Sequence, residues 1–143
     1  MAAKPRLFLD ASVLIAAAGS TTGGSASLLN LCRANKTPLL LTRLVLLEAE
    51  GNIRDKLDEA ALLRFYLLIA DLDLQIIPAP SSEELNEAAE IVAAKDAHVL
   101  AGARRGKATH LITLDRRHFL KDKQREGILP IIACTPGEYL KVV

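Results

Sequence analysis

Strand-like runs alternating with helical stretches predict an α/β domain built on a mostly parallel sheet with helices on both faces. Short apolar runs recur along the chain, and stretches of helical spacing lie between them. No repeat, low-complexity tract or linker divides the sequence, so its 143 residues, 1–143, read as one domain. Half the residues are hydrophobic and 24% are charged, which supplies a core without disulfides and excludes a wholly disordered chain.

Each element has a local reason. Arg6–Asp10 (RLFLD) reads as a buried strand, and ASVLIAAA behind it as a helix with Asp10 or Ser12 as its cap. Gly19–Ser25 (GSTTGGS) reads as a loop, with helical spacing resuming over Ser27–Ala34. Pro38 opens the second strand, PLLLT, followed by a helix from Arg43 to about Ile53 and a more apolar one over Leu57–Ala70. Leu74–Pro78 is a third strand, stopped by Pro78 and Pro80. Ser82–Ala94 carries Glu83 and Glu84 in its first turn, as a helix start favours, and Asp96–Gly106 is a further helix stopped by glycine. His110–Asp115 (HLITLD) is the fourth strand, RRHFL a short helical turn, Ile128–Ala133 the last strand, and PGEYL from Pro136 a closing helical turn.

Charge and composition exclude several functions. The formal charge is +1, which argues against coating nucleic acid by bulk positive charge. Aromatics make up 3% with no Trp, which argues against a base-stacking platform. Cys32 and Cys134 are too few for a disulfide framework or zinc site and read as buried thiols in a reducing compartment. Asp10 interrupts the apolar segment behind Lys4 and Arg6, against a signal peptide. No apolar run is long enough to span a membrane, so a soluble, cytoplasmic protein is expected. The small total hides blocks of charge: residues 1–43 carry +4, residues 44–94 carry −8, and residues 95–125 carry +6.

In an open parallel sheet, ligands bind at the carboxyl ends of the strands. Asp10 and Asp115 end the first and fourth strands, Glu48 lies early in the helix after the second, and Asp96 begins the helix before the fourth. Four carboxylates from four segments are thus expected at one edge. Each also has a plainer reading. Asp10 and Asp96 suit helix caps and Asp115 a turn; Glu48 suits an exposed helix face, with Glu50 as its competitor for any role. Two carboxylates ~4 Å apart repel by roughly 4 kcal/mol at an effective dielectric of about 20, so such a cluster would raise their pKa values or recruit a cation. Oxygen ligands without His or Cys at ligand spacing select Mg²⁺ or Mn²⁺. The basic block around Asp96 and Asp115 suits a polyanion, so phosphodiester hydrolysis is the expected chemistry.

LFLDASVLI at Leu7–Ile15, TRLVLLEAE at Thr42–Glu50, KDAHVLAGARRGKATHLITLDRRHF at Lys95–Phe119 and the late TPGEYL resemble, in order and spacing, the PIN-domain nucleases, in particular VapC-like toxins of toxin–antitoxin systems. The resemblance implies a three-layer α/β fold, an Mg²⁺ or Mn²⁺ centre, and a metal-dependent endoribonuclease acting on structured RNA. It also implies a cognate antitoxin partner and a homodimer. By position, Asp10, Glu48, Asp96 and Asp115 match the four acids, as metal ligands and catalytic groups; Ser12 and Thr113 match supporting hydroxyl positions. Ala11 stands where Thr is frequent, and Arg117 where some members carry a further acid, which argues against a fully occupied second metal site. Arg104, Arg105, Arg116 and Arg117 are the candidates for RNA-backbone contacts.

Two other classes compete. A haloacid-dehalogenase-like phosphotransfer enzyme also begins with an Asp after its first strand but needs an acid where Ser12 stands. A non-catalytic binding module would keep the acids for folding alone. GSTTGGSA falls short of a phosphate-binding loop, because Ser25 and Ala26 occupy its Lys and Ser/Thr places, and a loop or dimer contact is expected there. His98, His110 and His118 form no triad and read as packing, surface or helix-end residues. The apolar helix Leu57–Ala70 suits either the core or a dimer interface.

Overall fold

The centre of the molecule is set by LFL, which is buried on both faces and becomes β1 (Leu7–Leu9), the middle strand of a five-stranded parallel sheet. A computed structural model describes residues 4–115 and 131–143. The other strands are β2 (Leu39–Thr42), β3 (Leu74–Ile77), β4 (His110–Ile112) and β5 (Ile132–Cys134), in the spatial order β3-β2-β1-β4-β5. Register runs Leu7 to Leu39 on one side of β1 and Leu9 to Ile112 on the other. From β1 the chain winds outward to β2 and β3, then crosses back to β4 and β5. Strand order therefore reverses beside β1, and a crevice is expected where β1 and β4 end.

Seven α-helices cover the sheet among the described residues: α1 (Ala11–Gly19), α2 (Gly24–Asn35), α3 (Arg43–Lys56), α4 (Glu59–Asp71), α5 (Ser82–Ala89), α6 (Ala97–Arg105) and α7 (Pro136–Leu140). The α/β expectation holds, and so does the parallel sheet. One hydrophobic cluster joins strands and helices, from Phe8 and Leu40 to Leu14, Phe65, Leu100 and Tyr139. None of these helices is long and apolar enough to cross a membrane.

Boundaries differ from the sequence reading where side chains take over backbone bonds. The loop over Gly19–Ser25 is shorter than expected, because α2 starts at Gly24. The helix expected over Ser82–Ala94 stops at Ala89; the chain then turns to bury Val92, and a 3₁₀ turn at Ala94–Asp96 leads into α6. β4 ends at Ile112, short of Asp115. The last backbone bond from β1's end is Asp10 N–H to Ile112 O at 3.1 Å, after which Leu114 and Asp115 donate to side chains. Asp58 ends the preceding turn by accepting the Ala61 N–H, which starts α4 at Glu59, not Leu57. The turn RRHFL, with Arg116, Arg117 and His118, and the start of the last expected strand lie outside the described residues. Helix α4 divides its apolar surface: Ala61 and Phe65 enter the core, while Leu63, Tyr66 and Leu67 are exposed. Both cysteines are free thiols, Cys32 buried and Cys134 half-buried.

Candidate active site

At the carboxyl ends of β1 and β4 a single carboxylate gathers three donors. Asp10 caps α1: its Oδ1 accepts the Ala11 N–H at 2.7 Å. Its Oδ2 accepts the Ser12 hydroxyl at 3.0 Å and the Thr113 hydroxyl at 2.7 Å. Both hydroxyls are used twice. Ser12 Oγ accepts the Leu114 N–H at 3.1 Å, and Thr113 Oγ1 accepts the Asp115 N–H at 3.0 Å. Asp10 is thereby fixed in one orientation, and the segment carrying Asp115 is tied to it through two side chains. Thr113 is fully buried, so its hydroxyl has no water to compete for it. The capping role foreseen for Asp10 is real, but it occupies only one of the two oxygens.

Helix α3 brings Glu48 to the beginning of α6. Thr42, the last residue of β2, caps α3 by accepting the Val45 N–H at 3.3 Å. Six residues on, Glu48 Oε1 meets His98 Nε2 at 3.0 Å. Glu50 turns elsewhere: its Oε2 accepts the Tyr66 hydroxyl at 2.5 Å and lies 3.6 Å from Arg54. The geometry separates the competing acids, with Glu48 turned toward α6 and Glu50 toward α4. Asp96 occupies the position before α6 yet makes no capping bond with its side chain, against the plain reading of it as a helix cap. It is half-buried, and Asp115 is exposed.

The structure thus joins Asp10, Ser12, Thr113 and the Asp115 backbone in one network, and pairs Glu48 with His98, two residues from Asp96. Their oxygen donors fit a hard divalent ion, and the lone pairs of Asp10 are not exhausted by three hydrogen bonds. Among the described residues no three His, Cys, Asp or Glu side chains stand close enough together to hold an ion as they are. Closing the set would therefore require side-chain movement by Asp96, Asp115 or Glu48.

Two of the proposed RNA contacts are elsewhere. Helix α6 returns from the carboxyl edge to the amino edge of the sheet, so Arg104 and Arg105 lie in its far turn. There the Arg6 guanidinium donates to Gly106 O at 2.8 Å, and Arg105 pairs with Glu84 at 2.6 Å. A charge block in sequence does not say which end of a helix it occupies. Conversely, the pairing of His98 with Glu48 is not legible in the sequence. His98 reads from sequence as a packing or surface residue, although it follows Asp96 by two residues; nothing local announces a partner fifty residues away. Arg43 is an exposed cation in the first turn of α3, the end where the helix dipole favours acids.

No curated protein matches the chain. Among solved structures, it is similar to the crystal structure of PAE2754 from Pyrobaculum aerophilum, with a TM-score of 0.63, 19% identity, and coverage of 96% of this chain and 88% of that one. At that identity the likeness concerns the fold. The family model for the PIN domain matches residues 7–124, from the first residue of β1 past Asp115. That match takes in Asp10, Glu48, Asp96 and Asp115 together with the strands that position them, and the chain belongs to the PIN-domain family, whose members are generally nucleases.

Proposed function

We propose that this chain is a metal-dependent endoribonuclease and the toxin of a toxin–antitoxin pair. The observation that carries the reading is the doubly supported Asp10 carboxylate at the strand-order reversal, with the Asp115 segment bonded to the same two hydroxyls. A carboxylate held this way by buried and half-buried hydroxyls is positioned before any ligand arrives, so little reorganisation opposes binding.

Asp10, Asp96 and Asp115 would hold Mg²⁺ or Mn²⁺, directly or through water, with Glu48 as a further ligand or as the base that orients the attacking water. When bound, the ion lowers the pKa of water and offsets charge on the phosphoryl oxygens. The chain's own residues do the rest. Ser12 and Thr113 orient Asp10, and His98 holds Glu48 on the α6 side. Arg43, exposed at the carboxyl edge, supplies a backbone contact of the kind that positions RNA without reading its sequence. Arg116 and Arg117, which follow Asp115 directly, are the remaining candidates for that role.

An antitoxin and a second copy of the chain are the proposed protein partners. Leu44, Leu47, Leu63, Tyr66 and Leu67 support this reading, because they expose apolar surface on α3 and α4. Action on cellular RNA places the protein in the cytoplasm. The test is cleavage of total RNA by purified protein with Mg²⁺, Mn²⁺ or EDTA, alongside Asp10→Asn and Asp96→Asn. Metal-dependent cleavage by the wild type, lost in both variants while their circular dichroism is unchanged, is expected. Full activity in EDTA, or in either variant, contradicts the assignment, and no cleavage under any condition favours a non-catalytic binding module.

A further inference from the structure

A cavity of about 380 Å³ opens at the carboxyl ends of β2 and β3, beside the start of α6. Leu44, Ile76, Ile77, Pro78 and Leu85 give it apolar walls, and Arg43 and His98 line it with them. Leu44 at 47% and Ile76 at 51% exposure come from different elements, α3 and β3, yet they line the same concavity. Apolar surface left wet on a concave wall is surface that a seated ligand would remove from water. Pro78 stops β3 at Ile77 and, with Pro80, denies the loop the N–H groups that would extend the ladder over the gap.

Position and charge say what kind of ligand fits. His98 lines this cavity while its Nε2 meets Glu48 Oε1 at 3.0 Å, so one imidazole belongs to both the cavity and the acid site. Arg43 is exposed and has no ion pair among the described residues, which leaves its charge open to an anion. No carboxylate among the described residues lines the cavity to repel one. An apolar protein side chain would use the walls and leave Arg43 idle. A nucleotide uses both, with its base against the aliphatic and proline walls and its phosphate on the guanidinium.

We propose that this cavity is a nucleotide subsite, seating the base of the nucleotide next to the phosphodiester presented to Asp10 and Glu48, with that nucleotide's own phosphate on Arg43. The placement on a strand rests on the nuclease reading; the nucleotide chemistry stands on the cavity itself and is shared by a free mononucleotide. The walls are mostly apolar, so the subsite senses the presence and size of a base and reads little of its hydrogen-bonding edge.

The experiment follows the methyl resonances of Leu44, Ile76, Ile77 and Leu85 in metal-free, EDTA-containing buffer. The probes, titrated in parallel, are adenosine 5′-monophosphate, adenosine, ribose 5-phosphate and a short oligoribonucleotide lacking terminal phosphates. Saturable shifts with the mononucleotide and the oligoribonucleotide are expected, with ribose 5-phosphate at least tenfold weaker. Ile76→Ser should weaken the mononucleotide about fivefold through lost apolar contact. Arg43→Gln should weaken it by a similar factor and leave adenosine unaffected. Ile132→Ser, a comparably exposed position on β5 at the opposite edge of the sheet, should change nothing. Absence of shifts with the mononucleotide overturns the subsite, as does an equal response to ribose 5-phosphate or equal weakening by Ile132→Ser. Shifts with the mononucleotide and none with the oligoribonucleotide overturn the strand placement. Shifts of the same methyls on dilution without any probe would show a second copy of the chain covering the cavity, and the proposal falls. Cleavage of RNA by the wild type without the nucleotide shifts refutes the subsite and leaves the nuclease reading standing; shifts without cleavage do the reverse.

Discussion

Thr113 donates to the Asp10 carboxylate and accepts from the Asp115 backbone, so one buried hydroxyl couples the first strand's acid to the fourth strand's. Thr113→Val keeps the shape and removes both bonds. It should lower stability by about 1–2 kcal/mol, read from urea unfolding, and reduce cleavage more than that loss of folded protein explains. Thr113→Ser, which keeps the hydroxyl, should recover most of the activity; equal loss in both variants would show that packing of the methyl group matters, not the hydroxyl. Glu48 and Glu50 provide a sharper contrast. Both are partly exposed acids on α3 two residues apart, but only Glu48 meets His98. Glu48→Gln should lower cleavage by about 100-fold or more, the range of a lost acid–base or charge-stabilising group, and Glu50→Gln by less than threefold. The reverse order would move the site to the α3–α4 face. Asp10 was legible in sequence because a buried strand ending in a carboxylate is a local pattern, whereas Thr113 came only through the family resemblance. The Glu48–His98 pair was not, because it exists only after α3 and α6 have packed.

Helix α6 owes its position to a residue without a side chain. A Cβ on Gly102 would meet Phe8 Cζ and Thr42 Cγ2 at 2.9 Å each, so α6 lies against β1 and β2 only because this position is glycine. Gly102→Ala gains about 1 kcal/mol of helix propensity but forces a ring and a threonine methyl to move, and overpacking of that kind costs about 1–3 kcal/mol. The expected result is a lower melting temperature and, since Asp96 and His98 ride on the same helix, slower cleavage per folded molecule. A raised melting temperature would show that the sheet gives way easily. At this scale the sequence showed that α6 exists, through Val99, Leu100 and Ala103 on one face, but not its direction relative to the site. Nine residues at a rise of 1.5 Å carry Arg104 and Arg105 roughly 13 Å from the helix start, toward the amino edge of the sheet and away from Asp10. The order of helices and strands was readable for the same reason that their ends were not. Periodicity spans a whole element, whereas each end is decided by one competing bond, as at Ser81 and Asp58.

For the molecule as a whole, the sheet's β5 side ties stability to pH in both directions. Cys32 of α2, Cys134 of β5 and Tyr139 of α7 pack together, with the His110 ring edge-on to Tyr139 at 5.1 Å. Burial pushes both thiols up to about 11, and the Glu138 charge adds to the effect at Cys134. Burial also raises Tyr139, reinforced by the two neighbouring thiolates should they form. The sign follows from which state holds the proton. Above the ordinary thiol value of 9.0 the unfolded chain releases protons that the fold retains, so stability is whole below pH 9 and falls as pH rises toward 11. Burial lowers His110 instead. As pH drops below the ordinary histidine value of about 6.5, the unfolded chain gains a proton that the fold resists, and stability falls again. Urea midpoints measured from pH 5 to pH 10.5 should therefore show a plateau at neutral to mildly alkaline pH with a decline on each side. Cys32→Ala with Cys134→Ala should flatten the alkaline limb, whatever constant stability the smaller side chains cost, and His110→Phe the acid limb. An alkaline limb of unchanged slope in the double variant would assign it to other groups and remove the thiols from the account.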